Sequence, residues 1–193
     1  MSALVPSRFA IVEVPPERPD ARTIVIAPTG AFGDGRHETT GMCLHALAVF
    51  APRRRFRILD VGSGSGILTI AAAKLGAEGV GVEIDPAANV AAAENARRSG
   101  VAGQVRFGAD WPESGPGEEP FDVVVANILR DVLLDLADPI VARLARGGLL
   151  VLSGLVSTDV PEIVARYAPR LSGRRPEIFE RGAWRALVWR GAP

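Results

Sequence analysis

The chain has 193 residues, of which 48% are hydrophobic and 23% are charged, which excludes a disordered or fibrous protein and fits one globular domain. Lys and Arg total 22, as do Asp and Glu, so nucleic acid held mainly by phosphate charge is disfavoured as a partner. The single cysteine, Cys43, excludes an internal disulfide, and neither a secretory signal nor a long apolar run is visible. We therefore expect a cytoplasmic protein without a membrane segment.

The first 30 residues are interrupted by prolines and contain two short apolar runs, "FAIVEV" and "TIVIA". This pattern predicts an extended amino-terminal arm, residues 1–30, with one or two small strands. The remaining residues, 31–193, are predicted to form the main domain. Its first helix is expected from Glu38 to about Phe50, because apolar residues recur there at helical spacing until Pro52.

Strands and helices then alternate along the chain. "RILDV" is predicted as a strand, "GSGSG" as a loop and "ILTIAAAKLGA" as a helix, and the pattern repeats with "GVGVEI" and a helix ending near Gly100. Asp85 is expected to cap that second helix, with Pro86 in its first turn. The alternation predicts an α/β fold with a mostly parallel sheet between helical layers.

The second half of the chain continues this alternation and ends differently. "VRF", "FDVVVAN" and "LLVLSG" are predicted as further strands, and "LRDVLLDLADPIVARLA" as one helix that Pro139 could kink. The tail holds "EIFERG" and "WRALVWR" around a glycine turn. This pattern predicts an antiparallel hairpin attached to the parallel sheet.

The glycine loop after the first predicted strand of the main domain is the first ligand signal. Glycines fall at 62, 64 and 66, which does not match the dehydrogenase fingerprint. An acidic residue, Asp60, stands two before the first glycine, and in this the loop resembles the nucleotide loop of class I methyltransferases. Asp60 is expected to orient either the loop or a charged amino group of the ligand. The alternative is a tight turn without a ligand.

Polar residues also follow three other predicted strands, where parallel sheets bind their ligands. Glu83 is expected to accept hydrogen bonds from both hydroxyls of a ribose, whereas Asp85 is better explained as a helix cap. Asp110 follows "VRF", and the resemblance to class I methyltransferases implies a contact with adenine there, with a loop-forming Asp as the alternative. Asn127 ends an otherwise apolar strand, and its amide can both donate and accept. It is interpreted as a functional residue, with a turn-forming Asn as the alternative.

The stretch "AFGDGRHETT" raises a separate question, because Asp34, His37 and Glu38 are spaced closely enough to converge on a metal. No further His or Cys cluster is available to complete such a site. We therefore predict no metal. The stretch is interpreted as a lid that leads into the helix beginning near Glu38.

Together these motifs resemble the ribosomal protein L11 methyltransferases. "AFGDGRHETT", the glycine loop, "GVEIDP", "VVVANIL" and "LLVLSGL" follow in the family's order, from about Leu4 to the "WRALVWRG" tail. The resemblance implies a class I methyltransferase, a Rossmann-like three-layer sandwich with a seven-stranded sheet and an antiparallel carboxyl-terminal hairpin strand. It also implies S-adenosylmethionine as the cofactor and S-adenosylhomocysteine as the product.

The resemblance extends to individual positions. Thr40, Gly62, Glu83 and Asn127 match cofactor positions of the family, and Asn127 is also expected to be catalytic by holding the N–H of an amine acceptor. Asp34 stands where the family has threonine, and we expect it to favour a cationic acceptor. The full set of expected cofactor contacts is Phe32, Gly33, Asp34, Gly35, His37, Thr40, Asp60, Gly62, Ser63, Gly64, Gly66, Glu83, Ile84, Asp110, Trp111 and Asn127.

Three functions are compatible with these motifs. The first is an S-adenosylmethionine-dependent N-methyltransferase acting on a lysine or amino-terminal amine of a protein. The second is a methyltransferase for a small molecule with the same cofactor site, and the third is a non-catalytic binding module. The family's amino-terminal substrate-recognition domain has no counterpart in this sequence, so we expect the acceptor to be found through the arm, the loops or a homodimer partner.

Overall fold

The computed structural model describes residues 8–14, 16, 20–28, 35–115 and 117–191. The arm contains two short strands, and the rest of the chain alternates strands with helices. The strands are β1 Ala10–Val12, β2 Thr23–Val25, β3 Phe56–Val61, β4 Ala77–Val82, β5 Val105–Gly108, β6 Phe121–Asn127, β7 Leu144–Val156, β8 Glu177–Arg181 and β9 Trp184–Arg190. The helices are α1 Glu38–Phe50, α2 Ile67–Lys74, α3 Pro86–Arg98, α4 Arg130–Asp135, α5 Ala137–Val141 and α6 Val160–Tyr167, followed by a 3₁₀ turn over Ala168–Leu171.

Seven strands form the main sheet in the order β5-β4-β3-β6-β7-β9-β8. The first five of these strands are parallel to one another, whereas β9 pairs antiparallel with both β7 and β8. This arrangement confirms the predicted seven-stranded sheet with a carboxyl-terminal hairpin. The order reverses at β3, which has β4 on one side and β6 on the other, so a crevice opens at the carboxyl ends of these strands.

The sheet is buried on both faces by helices. Neighbouring residues of β3 point to opposite faces: Ile58 packs in the core that includes α1 and α2, and Leu59 in the core that includes α4, α5 and α6. Val123 and Val124 in β6 alternate in the same way. This is why these strands read as continuous apolar runs, and the two cores give the expected three-layer sandwich.

The prediction of one long helix after β6 was wrong. The helix breaks at Leu136, where φ is −88° and ψ is 9°, so that α4 and α5 are separate short helices. Pro139 does not kink a continuous helix, because it lies in the first turn of α5, where its missing N–H costs no helical hydrogen bond. The prediction also extended the helix to Ala145, whereas α5 ends at Val141.

Strand β7 begins earlier than predicted. It starts at Leu144, which pairs with Phe121, and after a shift in register Leu149 pairs with Val123. The irregularity accommodates Gly147, whose φ is +79°, a value that glycine adopts without strain. Gly147 and Gly148 therefore lie in an irregularity of the pairing between β6 and β7.

The arm is packed onto the main domain by its second strand. β1 and β2 form a parallel pair, and Ile24 and Ile26 are buried in the core beside α1 and α2. One N–H group of β2 and one just after it reach side chains of α3 and its cap. Val25 N donates to Ser99 Oγ at 2.9 Å, and Ala27 N donates to Asn95 Oδ1 at 3.0 Å. Among the helices that the structure describes, none is both long and apolar enough to cross a membrane.

Candidate functional site

A cavity of about 480 Å³ lies at the carboxyl edge of the sheet, at the point where the strand order reverses. Its volume suits a small organic ligand. The ends of β3, β4 and β6 and the start of α1 contribute to its wall. It is lined by His37, Thr39, Val61, Gly62, Gly64, Val82, Glu83, Ile84, Trp111, Asn127, Ile128, Leu129, Val132, Leu136, Gly154 and Trp184.

The glycine loop forms the floor of this cavity. Gly62 N and Ser63 N both donate to the carbonyl of Val82, at 2.8 and 3.2 Å, which ties the loop to the end of β4. Gly62 has a φ of +72°, and a Cβ at this position would clash with Cγ2 of Ile128. Glycine is therefore required there, both by the backbone and by the close approach of the neighbouring loop.

Asp60 is buried behind the glycine loop and does not line the cavity. Its Oδ2 accepts hydrogen bonds from Thr69 Oγ1 at 2.8 Å and Thr69 N at 3.2 Å. Thr69 lies in the first turn of α2, so Asp60 satisfies a backbone donor at that helix start. Burial raises the pKa of Asp60 to about 7, partly offset by the bonds from Thr69, and the nearby charge of Glu83 adds to the rise.

Glu83 follows β4 and lines the cavity with a carboxylate that also organises the surrounding backbone. Its Oε2 accepts from Gly64 N at 3.1 Å, and its Oε1 accepts from Asp85 N at 3.0 Å. Asp85 is the cap of α3, as expected, because its Oδ1 accepts from Ala87 N at 2.9 Å. The next residue after Glu83, Ile84, is 87% exposed at the cavity edge.

Asn127 ends β6 with its amide beside α1. Its Nδ2 donates to Thr40 Oγ1 at 3.4 Å. Its Oδ1 is buried, and no described residue donates a hydrogen bond to it. An acceptor left without a donor in a cavity wall is suited to a ligand N–H or O–H, because an unsatisfied buried oxygen is unfavourable.

His37 and Trp184 form the opposite wall. His37 is the amino-terminal cap of α1, and its Nδ1 accepts from Thr39 N at 3.3 Å and lies 2.8 Å from Thr39 Oγ1. The imidazole meets the indole of Trp184 edge to face, with ring centroids 4.8 Å apart. Trp184 comes from the start of β9, so the hairpin closes the site from the far end of the chain.

Trp111 borders the adjoining part of the cavity. The guanidinium of Arg143 lies 4.9 Å from the centre of its ring, and Arg143 is fixed by the carbonyls of Pro112 and Pro139. This contact holds the indole in place against the cavity. Asp110, in contrast, is exposed and is not part of the lining.

The structure therefore brings together some of the expected cofactor residues and separates others. His37, Gly62, Gly64, Glu83, Ile84, Trp111 and Asn127 line the cavity. Thr40 supports it through Asn127, whereas Asp60, Ser63, Gly66 and Asp110 lie outside the lining. A Cβ at Gly35 would meet Ile11 and Ile67, so this glycine packs against the arm. The expectations for Phe32, Gly33 and Asp34 fall outside the described residues.

Metal and thiol chemistry are two other possibilities for the site. The described residues contain no group of His, Cys, Asp or Glu arranged to hold a metal. Cys43 is buried in α1, and burial raises the pKa of its thiol to about 12. A thiol that stays protonated is a poor nucleophile, so Cys43 is a core residue.

Several lining residues were not expected from the sequence. Gly154 packs against the backbone of Ile128, so that the loop after β6 approaches β7 closely. The strand-end rule points to Gly154, because it is the last residue of the predicted strand "LLVLSG". Other unexpected lining residues lie within the motifs quoted above and are Thr39, Val61, Val82, Ile128 and Leu129. The remaining ones are Val132, Leu136 and Trp184, which follow no predicted strand end.

Comparisons with known proteins agree on one family. The model of the family described as ribosomal protein L11 methyltransferase (PrmA) matches residues 4–191. A ribosomal protein L11 methyltransferase of Xanthomonas euvesicatoria is 42% identical over 181 residues, which cover 92% of this chain and 58% of that protein. One of Syntrophotalea carbinolica is 43% identical over 175 residues, or 89% of this chain and 56% of that protein.

A solved structure shows the same likeness in three dimensions. The crystal structure of a ribosomal protein L11 methylase from Lactobacillus delbrueckii subsp. bulgaricus superposes with a TM-score of 0.80 at 30% identity, covering 97% of both chains. The present chain thus spans somewhat more than half the length of the two curated relatives, 58% and 56%.

Proposed function

Because the chain belongs to the ribosomal protein L11 methyltransferase family, we propose that it is an S-adenosylmethionine-dependent N-methyltransferase that acts on a protein amine. The relatives' name indicates ribosomal protein L11 as the acceptor to test first. The observation that carries the proposal is the cavity where the glycine loop, Glu83 and the unsatisfied oxygen of Asn127 converge.

The residues of this cavity fit the cofactor. Gly62 lines the cavity with backbone at a φ of +72°, with Ile128 packed against it, and Glu83 presents a carboxylate that can accept hydrogen bonds from ribose hydroxyls. Ile84 and Trp111 offer apolar surfaces beside it for a flat ring such as adenine. We propose these four residues as the cofactor-binding core of the site.

The chemistry requires little from the protein beyond orientation. When bound, the cofactor would supply an electrophilic methyl carbon on a sulfonium, which a neutral amine can attack in line while the carbon–sulfur bond breaks and its electron pair stays on sulfur. Asn127 Oδ1 would accept an N–H of the amine, and Thr40 Oγ1 holds the other end of the same amide. Such alignment of the two reactants accounts for a large part of the rate enhancement available to this kind of reaction.

The cavity walls support the same reaction by excluding water. Val61, Val82, Ile128 and Leu136 make most of the surface around the proposed transfer point apolar. Charges and dipoles act more strongly in such a site than in water. His37 and Trp184 bound the cavity with their aromatic rings in edge-to-face contact.

Transfer of a labelled methyl group tests the proposal. The purified chain is first titrated with S-adenosylhomocysteine by calorimetry, then incubated with methyl-labelled S-adenosylmethionine and either ribosomal protein L11 or a metabolite extract. Label on a lysine or the amino-terminal amine of L11 is the expected result. Label on a metabolite alone would favour a small-molecule methyltransferase, and binding without transfer to either would favour a non-catalytic module.

The cellular setting is part of the proposal. We place the reaction in the cytoplasm, where a buried reduced thiol such as Cys43 is stable. A homodimer would offer additional surface to recognise the acceptor. Analytical sedimentation of the chain with and without L11 measures its oligomeric state.

A further inference from the structure

Asn95 is a buried amide in the middle of an alanine-rich helix face. It belongs to α3, is 0% exposed, and lies among Ala88, Ala92 and Ala96. A buried amide is unfavourable unless it is hydrogen-bonded, and an apolar residue would suit this face better. We therefore expect its amide to have one partner that donates a hydrogen bond and another that accepts one.

Both ends of the Asn95 amide are used, and they reach two different parts of the molecule. Oδ1 accepts from Ala27 N of the arm at 3.0 Å, and Nδ2 donates to the carbonyl of Ser65 at 3.0 Å. Ser65 lies within the glycine loop, between Gly64, whose N–H donates to Glu83, and Gly66, which immediately precedes α2. One side chain thus joins the arm to the loop that floors the cavity.

We propose that Asn95 is a positioning residue that couples docking of the arm to the conformation of the glycine loop, so that cofactor binding and arm docking stabilise each other. This inference rests on the proposed cofactor site. When the carbonyl of Ser65 is held by Asn95, Gly62 and Gly64 keep the arrangement that lines the cavity. Linkage is reciprocal, so any ligand that favours this loop arrangement must also favour the docked arm.

Ser99 provides a matched comparison. It caps the end of the same helix, is 1% exposed, and its Oγ accepts from Val25 N in the same strand of the arm. Removing this hydroxyl therefore loosens the arm without touching the glycine loop. If Asn95 had a purely structural role, Asn95→Ala and Ser99→Ala would have the same effect on ligand binding.

Calorimetric titration with S-adenosylhomocysteine distinguishes these roles. Asn95→Ala should raise the dissociation constant for S-adenosylhomocysteine about tenfold. A tenfold change corresponds to the upper end of the free energy that one hydrogen bond contributes. Ser99→Ala should leave the dissociation constant within about twofold of the wild-type value. It should nevertheless lower the melting temperature, because it also removes a hydrogen bond from the arm. Equal dissociation constants for Asn95→Ala and the wild type would overturn the coupling.

Amide hydrogen exchange tests the coupling in the wild type, which covers the case in which Asn95→Ala fails to fold. The reporter is Ile26 N, which donates to Val12 O at 2.9 Å within the arm. Saturating S-adenosylhomocysteine should slow its exchange about tenfold in the wild type and in Ser99→Ala, and should have no effect in a folded Asn95→Ala.

The outcomes separate this inference from the function on which it rests. A wild type that does not bind S-adenosylhomocysteine overturns the proposed function and the coupling together. A wild type that binds, but whose arm exchanges at the same rate with and without ligand, overturns the coupling alone.

Discussion

The amide of Asn127 lies 3.4 Å from the hydroxyl of Thr40, so the end of β6 and the start of α1 meet at the cavity wall. The donor end of the amide is thereby used, whereas its buried acceptor end has no donor among the described residues. Because Thr40 is 1% exposed, its hydroxyl is shielded from bulk water. The pair defines the orientation in which Asn127 would meet an acceptor amine.

Replacing Asn127 by alanine should reduce turnover far more than stability. The variant loses the oxygen proposed to align the amine, and misalignment of this kind costs about 100-fold in rate. It loses only one long hydrogen bond and also removes a buried unsatisfied oxygen, so the melting temperature should change little. Single-turnover methyl transfer to L11 and thermal unfolding measure the two effects. Full activity in Asn127→Ala would contradict the role.

Thr40→Val should lower kcat while leaving the KM for S-adenosylmethionine nearly unchanged. The two side chains have the same shape, but valine cannot accept the hydrogen bond from Asn127 Nδ2. The loss of one neutral bond corresponds to a decrease of about tenfold or less. Thr40→Ser, which retains the hydroxyl, should recover most of the rate. Failure of serine to rescue would mean that the methyl group, and not the hydroxyl, is what matters.

The sequence predicts those parts of the site that follow directly from strand ends. Glu83 and Asn127 stand out because each is a polar residue after an apolar strand, and parallel strands deliver such residues to one edge of the sheet. The same periodicity predicts α1 at its observed bounds and the antiparallel tail. The local pattern is sufficient to predict the strands, because a strand that is buried on both faces has a continuous apolar sequence.

Other features depend on contacts between distant segments. Trp184 reaches the cavity from a hairpin that begins far along the chain, and only the pairing of β9 with β7 places it there. Pro139 marks the region around Leu136 as a place where the helix is disturbed, but the sequence does not distinguish a kink from a break into two short helices. Asn95 likewise reads as an ordinary helical residue until the arm and the glycine loop are seen to contact it.

Glu83→Gln should weaken binding of S-adenosylhomocysteine. The carboxylate uses both oxygens on backbone N–H groups, and glutamine would present an NH₂ to one of them. Hydrogen bonds to a charged group contribute about 1.5–3 kcal/mol, so an increase in the dissociation constant of about tenfold or more is expected by calorimetry.

Asp85→Asn is the matched control for Glu83, because it lies two residues away and caps α3. Asparagine caps helices as well as aspartate, so the dissociation constant should stay within about twofold of the wild-type value. A comparable loss in both variants would show that the local charge matters, and not the position of the Glu83 carboxylate.

Asp60 should make the stability of the protein depend on pH. Burial raises its pKa from 3.8 to about 7, so the folded protein retains a proton that the unfolded chain releases at much lower pH. The stabilisation is therefore complete below pH 3.8 and is lost as the pH rises to about 7. Between pH 5 and pH 8 the free energy of unfolding should fall by up to about 3 kcal/mol from this group.

Urea denaturation of the wild type and Asp60→Asn at both pH values measures this contribution. Asparagine can still accept from Thr69 but cannot ionise, so its free energy of unfolding should not show the fall assigned to Asp60. Asp20→Asn serves as the comparison, because hydrogen bonds from Thr23 and Arg22 lower the pKa of exposed Asp20 to about 2. Its contribution is lost only as the pH falls below 3.8, so this variant should keep the wild-type change between pH 5 and pH 8. If Asp60→Asn loses stability with pH as steeply as the wild type, the dependence arises from another group.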